Sequence, residues 1–228
     1  MGMLSRILKI KAQKAASYFK KQPQRVDLNW PLGIRIGGTV RLDPSTFIVA
    51  GDSLKMDEPK GDCVVAAAGW YDCGGIRYHR FYLNDIEGNE FILEVGLGRS
   101  GGVGELMLYQ AADEIYPETT EDWDLWLNEE NGLIGFKDFS TPDEIVYERL
   151  WGQNGADYMA PPEFDEIVTD DPFVAEVAKV SHAAMLYGRT LDESVVEYLW
   201  VDNTNDDHGA AVLVSTGVEI HPASLTVL

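Results

Sequence analysis

The chain has 228 residues and 25.3 kDa, with 18 Lys and Arg against 38 Asp and Glu, a formal net charge of −20 and a pI of about 4.4. Hydrophobic residues at 45% and aromatics at 11% are the composition of a folded chain, not of an acidic disordered one, and the length suffices for one large or two small domains. No run of eighteen apolar residues occurs, which excludes a transmembrane helix; the acidic balance excludes general nucleic-acid binding, whose phosphate contacts need clustered Lys and Arg.

The charge is not evenly spread. Residues 1–25 hold seven basic side chains (Arg6, Lys9, Lys11, Lys14, Lys20, Lys21 and Arg25) and no acid, so residues 26–228 carry 11 basic and 38 acidic groups, a net of −27. Within the basic arm Met3, Leu4, Ile7, Leu8, Ala12, Ala15, Tyr18 and Phe19 recur at steps of three and four, the spacing of one helix face, and Pro23 stops the pattern. Such a helix lies on an anionic membrane, docks in a partner's groove or packs on its own acidic body, and the periodicity fits all three. The first two readings make Arg6, Lys9, Lys11, Lys14, Lys20 and Lys21 the lipid- or partner-binding residues. Lys9, Lys11 and Lys14 interrupt any secretory apolar core, and Arg6 stands where a myristoylation motif wants Ser or Thr. The expected location is therefore the cytoplasm, with peripheral attachment to the inner membrane through residues 1–22 as the variant that the arm allows.

From Trp30 onward the pattern becomes extended. Ile34 and Ile36, then Val40 and Leu42, alternate with polar residues or glycines. Ser45–Ala50, Asp62–Gly69, Ile76–Leu83 and Glu90–Leu97 follow as strands, the last carrying the period-two run Phe91, Leu93, Val95, Leu97. Asn84 to Asn89, with Asp85 and Gly88, suits a hairpin loop. Later strands are expected at Glu105–Ala111, Ile145–Trp151, Val180–Tyr187, Val195–Val201, Ala210–Ser215 and Ser224–Leu228. One short helix interrupts them: Thr119 or Thr120 caps it, Glu121 and Asp122 complement its dipole, and Trp123, Trp126 and Leu127 share a face that belongs to the core. Gly152–Pro172, with three prolines and many acids, reads as a long connection that divides the body into two lobes. The expected fold is mainly β, antiparallel sheets as a sandwich or partly closed barrel, with one inserted helix and an N-terminal amphipathic helix. The domain reading is an arm, 1–25, and a body, 26–228.

No motif names a reaction. Cys63 and Cys73 match neither a redox pair nor a zinc knuckle and read as buried thiols. His79, His182, His208 and His221 are scattered and read as ordinary polar histidines. Asp202–Gly209 fails as a calcium loop, because positions six and twelve are Asp207 and Leu213, and reads as a polar hairpin loop. Acid pairs such as Glu129-Glu130, Asp165-Glu166 and Asp170-Asp171 read as solvated loops. Arg99–Gly104 is glycine-rich but opens into a strand, so it lacks the helix N-terminus of a phosphate cradle. No catalytic, cofactor or metal residue is expected.

Three segments together carry a resemblance: Trp30-Pro31-Leu32-Gly33-Ile34-Arg35-Ile36-Gly37-Gly38; Ala112–Pro117 leading to Asp122–Leu127 and Gly132–Gly135; and Tyr147-Glu148-Arg149-Leu150-Trp151. Across most of residues 27–228 the chain resembles the YjfK-like family of uncharacterised bacterial proteins. The resemblance implies no catalytic residue. It implies a genetic neighbourhood with a coiled-coil, membrane-remodelling protein of the phage-shock type, and in some cases with glutathionylspermidine synthetase-like genes. The expectation that follows is a non-enzymatic accessory protein of envelope stress with a protein partner. The competing expectation is an enzyme or binding protein for a small cationic ligand such as a polyamine, held between the lobes, because an acidic cleft concentrates cations.

Overall fold

A computed structural model describes residues 24–98, 101–128, 130–152, 155–191 and 195–228. The helix expected over 1–22, and with it Arg6, Lys9, Lys11, Lys14, Lys20 and Lys21, lies outside the described residues.

The described chain is mainly β. Its strands are β1 Thr39–Leu42, β2 Asp62–Cys73, β3 Ile76–Asn84, β4 Glu90–Leu97, β5 Val103–Ile115, β6 Asp138–Ser140, β7 Val146–Arg149, β8 Glu163–Thr169, β9 Ala178–Thr190, β10 Val196–Asp206, β11 Gly209–Glu219 and β12 Leu225–Val227. Eight of them close into an antiparallel barrel in the order β2, β3, β4, β5, β11, β10, β9, β8, and β8 returns to β2. That closing seam is short: Ala68, Gly69 and Trp70 face Thr169, Val168 and Ile167. β1 and β12 flank the start of β2, and β7 and β6 extend the sheet beside the end of β9.

Local chemistry explains several boundaries. In the β3–β4 hairpin Asp85 accepts from the backbone N–H groups of Lys60, Glu87 and Asn89, and Gly88 takes φ +86°. Burial opposes the Asp85 charge, but those donors outweigh it and bring the carboxyl down to about 2. Thr119 caps helix α2, Thr120–Leu127, in a full capping box with Asp122, and Trp123, Trp126 and Leu127 pack on the core as their spacing requires.

Two expectations fail. Ser45–Ala50 is a helix, α1, despite its β-branched residues: Asp43 accepts from the N–H of Ser45, Phe47 and Ala50 turn inward at a helical step of three, and Gly51 ends it at φ +57°. Residues 152–172 are not merely a connection between lobes, because they contain β8, and its bonds to β2 and β9 carry one sheet through the expected division. Cys63 and Cys73 are free and sit ten residues apart on β2, about 33 Å along an extended strand, so they cannot pair.

Both faces of the barrel wall are covered. Outside, Phe81, Leu83, Leu93, Val95, Leu106 and Leu108 lie beneath the segment that carries Ile34, Phe47 and Met56. On the other side Met185, Tyr187, Leu199, Val201 and Val212 lie beneath α2 and the stretch from Leu133 to Trp151. Inside are Tyr71, Met107, Tyr109, Phe164 and Trp200. Glycines make room where bulky groups cross the lumen: a Cβ on Gly69 would overlap the Glu166 carboxylate, and one on Gly217 the Tyr109 ring. Gly69→Ala should therefore lower unfolding stability by about 1–3 kcal/mol in urea titration. A loss below about 0.5 kcal/mol would show that the Glu166 side chain is free to move.

Candidate functional site: an ionic centre inside the barrel

The lumen holds a connected set of charges. Arg80 on β3 is 3% exposed. Its Nε donates to Glu94 Oε2 on β4 at 2.7 Å and its Nη1 to Glu166 Oε2 on β8 at 3.2 Å. The guanidinium carbon lies 4.8 Å from the ring centroids of both Tyr71 and Trp200, a double cation–π contact. The Tyr71 hydroxyl donates to Glu94 and the Tyr82 hydroxyl to Glu166, each at 2.8 Å. His182 on β9 places Nδ1 2.6 Å from Asp202 Oδ2 on β10, and the Trp200 indole N–H reaches the same oxygen at 3.2 Å. His182 Nε2 is 3.2 Å from Glu166 Oε2, an ion-pair contact without hydrogen-bond alignment.

These groups come together because the strands alternate. Tyr78, Arg80 and Tyr82 on β3, Phe164, Glu166 and Val168 on β8, and Tyr198, Trp200, Asp202 and Thr204 on β10 all point inward at period two. Burial would push His182 toward neutrality, yet Asp202 and Glu166 outweigh it and hold its pKa up at about 9. Burial likewise opposes the charges of Glu166 and Asp202, and Arg80 and His182 keep both below the usual carboxylate range. The centre thus sets the cations Arg80 and His182 against the carboxylates of Glu166 and Asp202, with the Glu94 carboxyl group on the far side of Arg80.

A carboxylate–histidine pair beside an arginine has the parts of an acid–base site, but the space among these side chains is small, and the depression of about 410 Å³ that His182 also borders is lined mainly by Asp165, Ser181, Asn203 and Asn205. The cavity beside Arg80, Trp200, Asp202 and Ser215 measures about 20 Å³, room for about one water molecule. Every charged member is buried. Among the described residues no cluster of three or more His, Cys, Asp or Glu could hold a metal ion.

A family match bears on the chain as a whole, since the description Protein of unknown function (DUF2491) matches residues 3–226. The chain belongs to the DUF2491 family. No curated protein and no solved structure matches it. The family assignment therefore fixes no reaction for the ionic centre, and the geometry has to carry the reading.

Sequence reasoning missed this centre. His182, taken as an ordinary polar histidine, is an ion-pair member in the lumen, and Asp202, taken as the start of a polar loop, is inside β10, whose turn is only Asp207-His208. Glu166, taken as part of a solvated acid pair, is fully buried, whereas its neighbour Asp165 does face outward to Lys179 and Ser181. The available signal was a charge with an aromatic two residues before it on three strands: Tyr78 and Arg80, Phe164 and Glu166, Trp200 and Asp202.

At the point where the described chain begins, Arg25 forms a two-bond pair with Asp27 and donates to the Ile36 carbonyl, so it belongs to the body and not to the free charge of the arm. Burial opposes the Asp27 charge, and Arg25 with the Ile36 N–H still lowers its pKa. The Val26 N–H bonds to the Pro172 carbonyl, and near this junction Leu28, Leu32, Phe173 and Val174 are exposed. Leu32 has φ +59°, a left-handed backbone that a leucine adopts at a cost.

The His182 shift predicts a pH dependence. Its folded pKa, about 9, is above the unfolded 6.5, so its stabilisation is complete below pH 6.5 and disappears as pH rises from there through 9. The loss should be on the order of 3 kcal/mol in denaturant titrations across that window. His182→Gln should be less stable at pH 6 and nearly flat over the same range; an unchanged slope in the variant would assign the titration to another group.

Proposed function

We propose that the protein is a non-enzymatic accessory protein that works at the cytoplasmic face of the inner membrane, attached reversibly through residues 1–22 and presenting its acidic barrel to a protein partner. We read the chain as a YjfK-like member of its family, on the three segments quoted above, and on that reading the partner is a coiled-coil protein of the phage-shock type in envelope stress. The observation that carries the proposal is the separation of charge: an acid-free basic arm precedes a strongly acidic body.

Three further points support it. With Arg25 bound to Asp27, the arm's own cations are Arg6, Lys9, Lys11, Lys14, Lys20 and Lys21. Each contributes roughly 1 kcal/mol beside an anionic surface, enough for reversible attachment. Repulsion of the acidic body is screened beyond about 8 Å at physiological salt, so a body held off the surface by the arm loses little of that attraction. The exposed Leu28, Leu32, Phe173 and Val174 add apolar area near the arm's root. Finally, the cavity beside Arg80 and Asp202 in the ionic centre holds about one water molecule, and no described helix is long and apolar enough to cross a membrane.

The test is co-sedimentation of the full chain with vesicles of phosphatidylcholine containing about 30 mol % phosphatidylserine. The protein should pellet, its binding should weaken with salt, and Lys9→Glu, Lys14→Glu and Lys20→Glu together should reduce binding at least about tenfold without changing the melting temperature. Equal pelleting of both proteins would remove the arm from membrane attachment.

A further inference from the structure

A second cavity lies outside the barrel wall, between β5, β10 and β11 on one side and the covering stretch from α2 to β7 on the other. It measures about 640 Å³, inside the roughly 300–1,000 Å³ range of small-molecule sites. Its walls are apolar: Trp126, Leu133, Phe139, Leu199 and Val214 face it, with the Trp126 and Phe139 rings stacked at 6.3 Å. Two kinds of polar group interrupt those walls. Thr216 on β11 is 4% exposed and lines the cavity, where its hydroxyl is the polar group that β11 contributes beside the apolar Val214. At the rim stand Lys55, Asp143 and Asp113.

The rim charges are unequal. Lys55 Nζ is 2.9 Å from Asp143 Oδ2, and Thr141 donates to the other oxygen of Asp143 at 2.6 Å. The Thr141 and Lys55 contacts bring the Asp143 carboxyl down to about 2, so the Asp143 charge is already engaged within the rim. Asp113 is exposed and accepts only the N–H of Glu114 among the described residues. One carboxylate therefore remains at the mouth of an apolar cavity that is also lined by the Thr216 hydroxyl.

We propose that this cavity binds a hydrophobic amine: an aliphatic or aromatic body against Trp126, Phe139 and Val214, a hydrogen bond to Thr216, and a protonated amine beside Asp113. The walls disfavour a polyamine, whose ammonium groups recur every few methylenes and would be left unpaired against apolar side chains. The proposal is independent of the arm and its target, since every residue it uses is in the body, so vesicle binding and amine binding fail separately.

The test follows fluorescence of the neutral probe N-phenyl-1-naphthylamine with the full chain, and its displacement by dodecylamine and by dodecanoate. Probe binding should saturate, and dodecylamine should displace it at about three- to fivefold lower concentration than dodecanoate, the size of one exposed ion pair. Val214→Trp, which fills the cavity, should abolish the probe signal while circular dichroism confirms the fold. Asp113→Asn, an exposed rim change that leaves the core alone, should erase the preference for the amine and keep probe binding. Because Asp113→Asn alters the net charge of the body by one part in 27, general attraction of cations to the acidic surface would survive it. Equal displacement by amine and acid, an undiminished probe signal in folded Val214→Trp, or an unchanged amine preference in Asp113→Asn would each overturn the proposal.

Discussion

Closure of the barrel depends on Glu166. β2 and β8 meet over only three residue pairs, a much shorter ladder than the neighbouring β9–β10 and β10–β11 pairings. Across that seam Glu166 on β8 takes Arg80 and Tyr82 from β3, while on its other side it meets His182 from β9. Arg80 then reaches Glu94 on β4 and lies between Tyr71 on β2 and Trp200 on β10. Six of the eight barrel strands are joined through side chains in a medium where an unpaired charge would cost several kcal/mol. Replacing the whole centre with apolar groups of equal volume need not destabilise the fold, but removing one member leaves the others buried without compensation. The centre thus fixes which strands meet, and Gly69 is glycine because the Glu166 carboxylate occupies the space its side chain would need.

The same constraint explains what the sequence did and did not disclose. The hairpin at Asn84–Glu90, the capping box at Thr119 and the antiparallel β class were legible because turn and capping chemistry are local. The faces were not legible. Phe91, Leu93 and Val95 on β4 alternate with polar or smaller residues, which ordinarily sets the apolar side toward the interior and the other toward water. Here that apolar side is the outside of the barrel, buried under the N-terminal segment, and Glu94 on the opposite side is buried in the lumen. A strand covered on both faces has no solvent side, so alternation cannot tell a buried charge from an exposed one. β8 was hidden for a related reason: Glu163-Phe164-Asp165-Glu166 has the composition of an acidic loop, and one of its two pairing partners, β2, is distant in sequence.

Charge sorts the molecule into three regions with different physics. In the lumen, carboxylates and cations nearly balance and are locked by hydrogen bonds. On the surface the excess acid is solvated, with exposed pairs such as Arg77–Asp72 and Lys179–Asp165 that contribute little to stability. In residues 1–22 the sign is reversed. The apolar cavity beside Thr216 lies on the covering layer and not in the barrel, so a ligand there would leave the ionic centre undisturbed.

Amide hydrogen exchange on Glu166→Gln tests this account most directly. The substitution keeps the side chain's volume and an acceptor for Tyr82 but removes the charge that Arg80 and His182 share. If Glu166 closes the barrel, amides of the β2–β8 seam, at Ala68–Trp70 and Ile167–Thr169, should lose protection by about 100-fold at pH 7, while the β10–β11 ladder keeps most of its own. Seam amides that exchange as slowly as in the wild type, or a loss spread evenly over all strands, would contradict it.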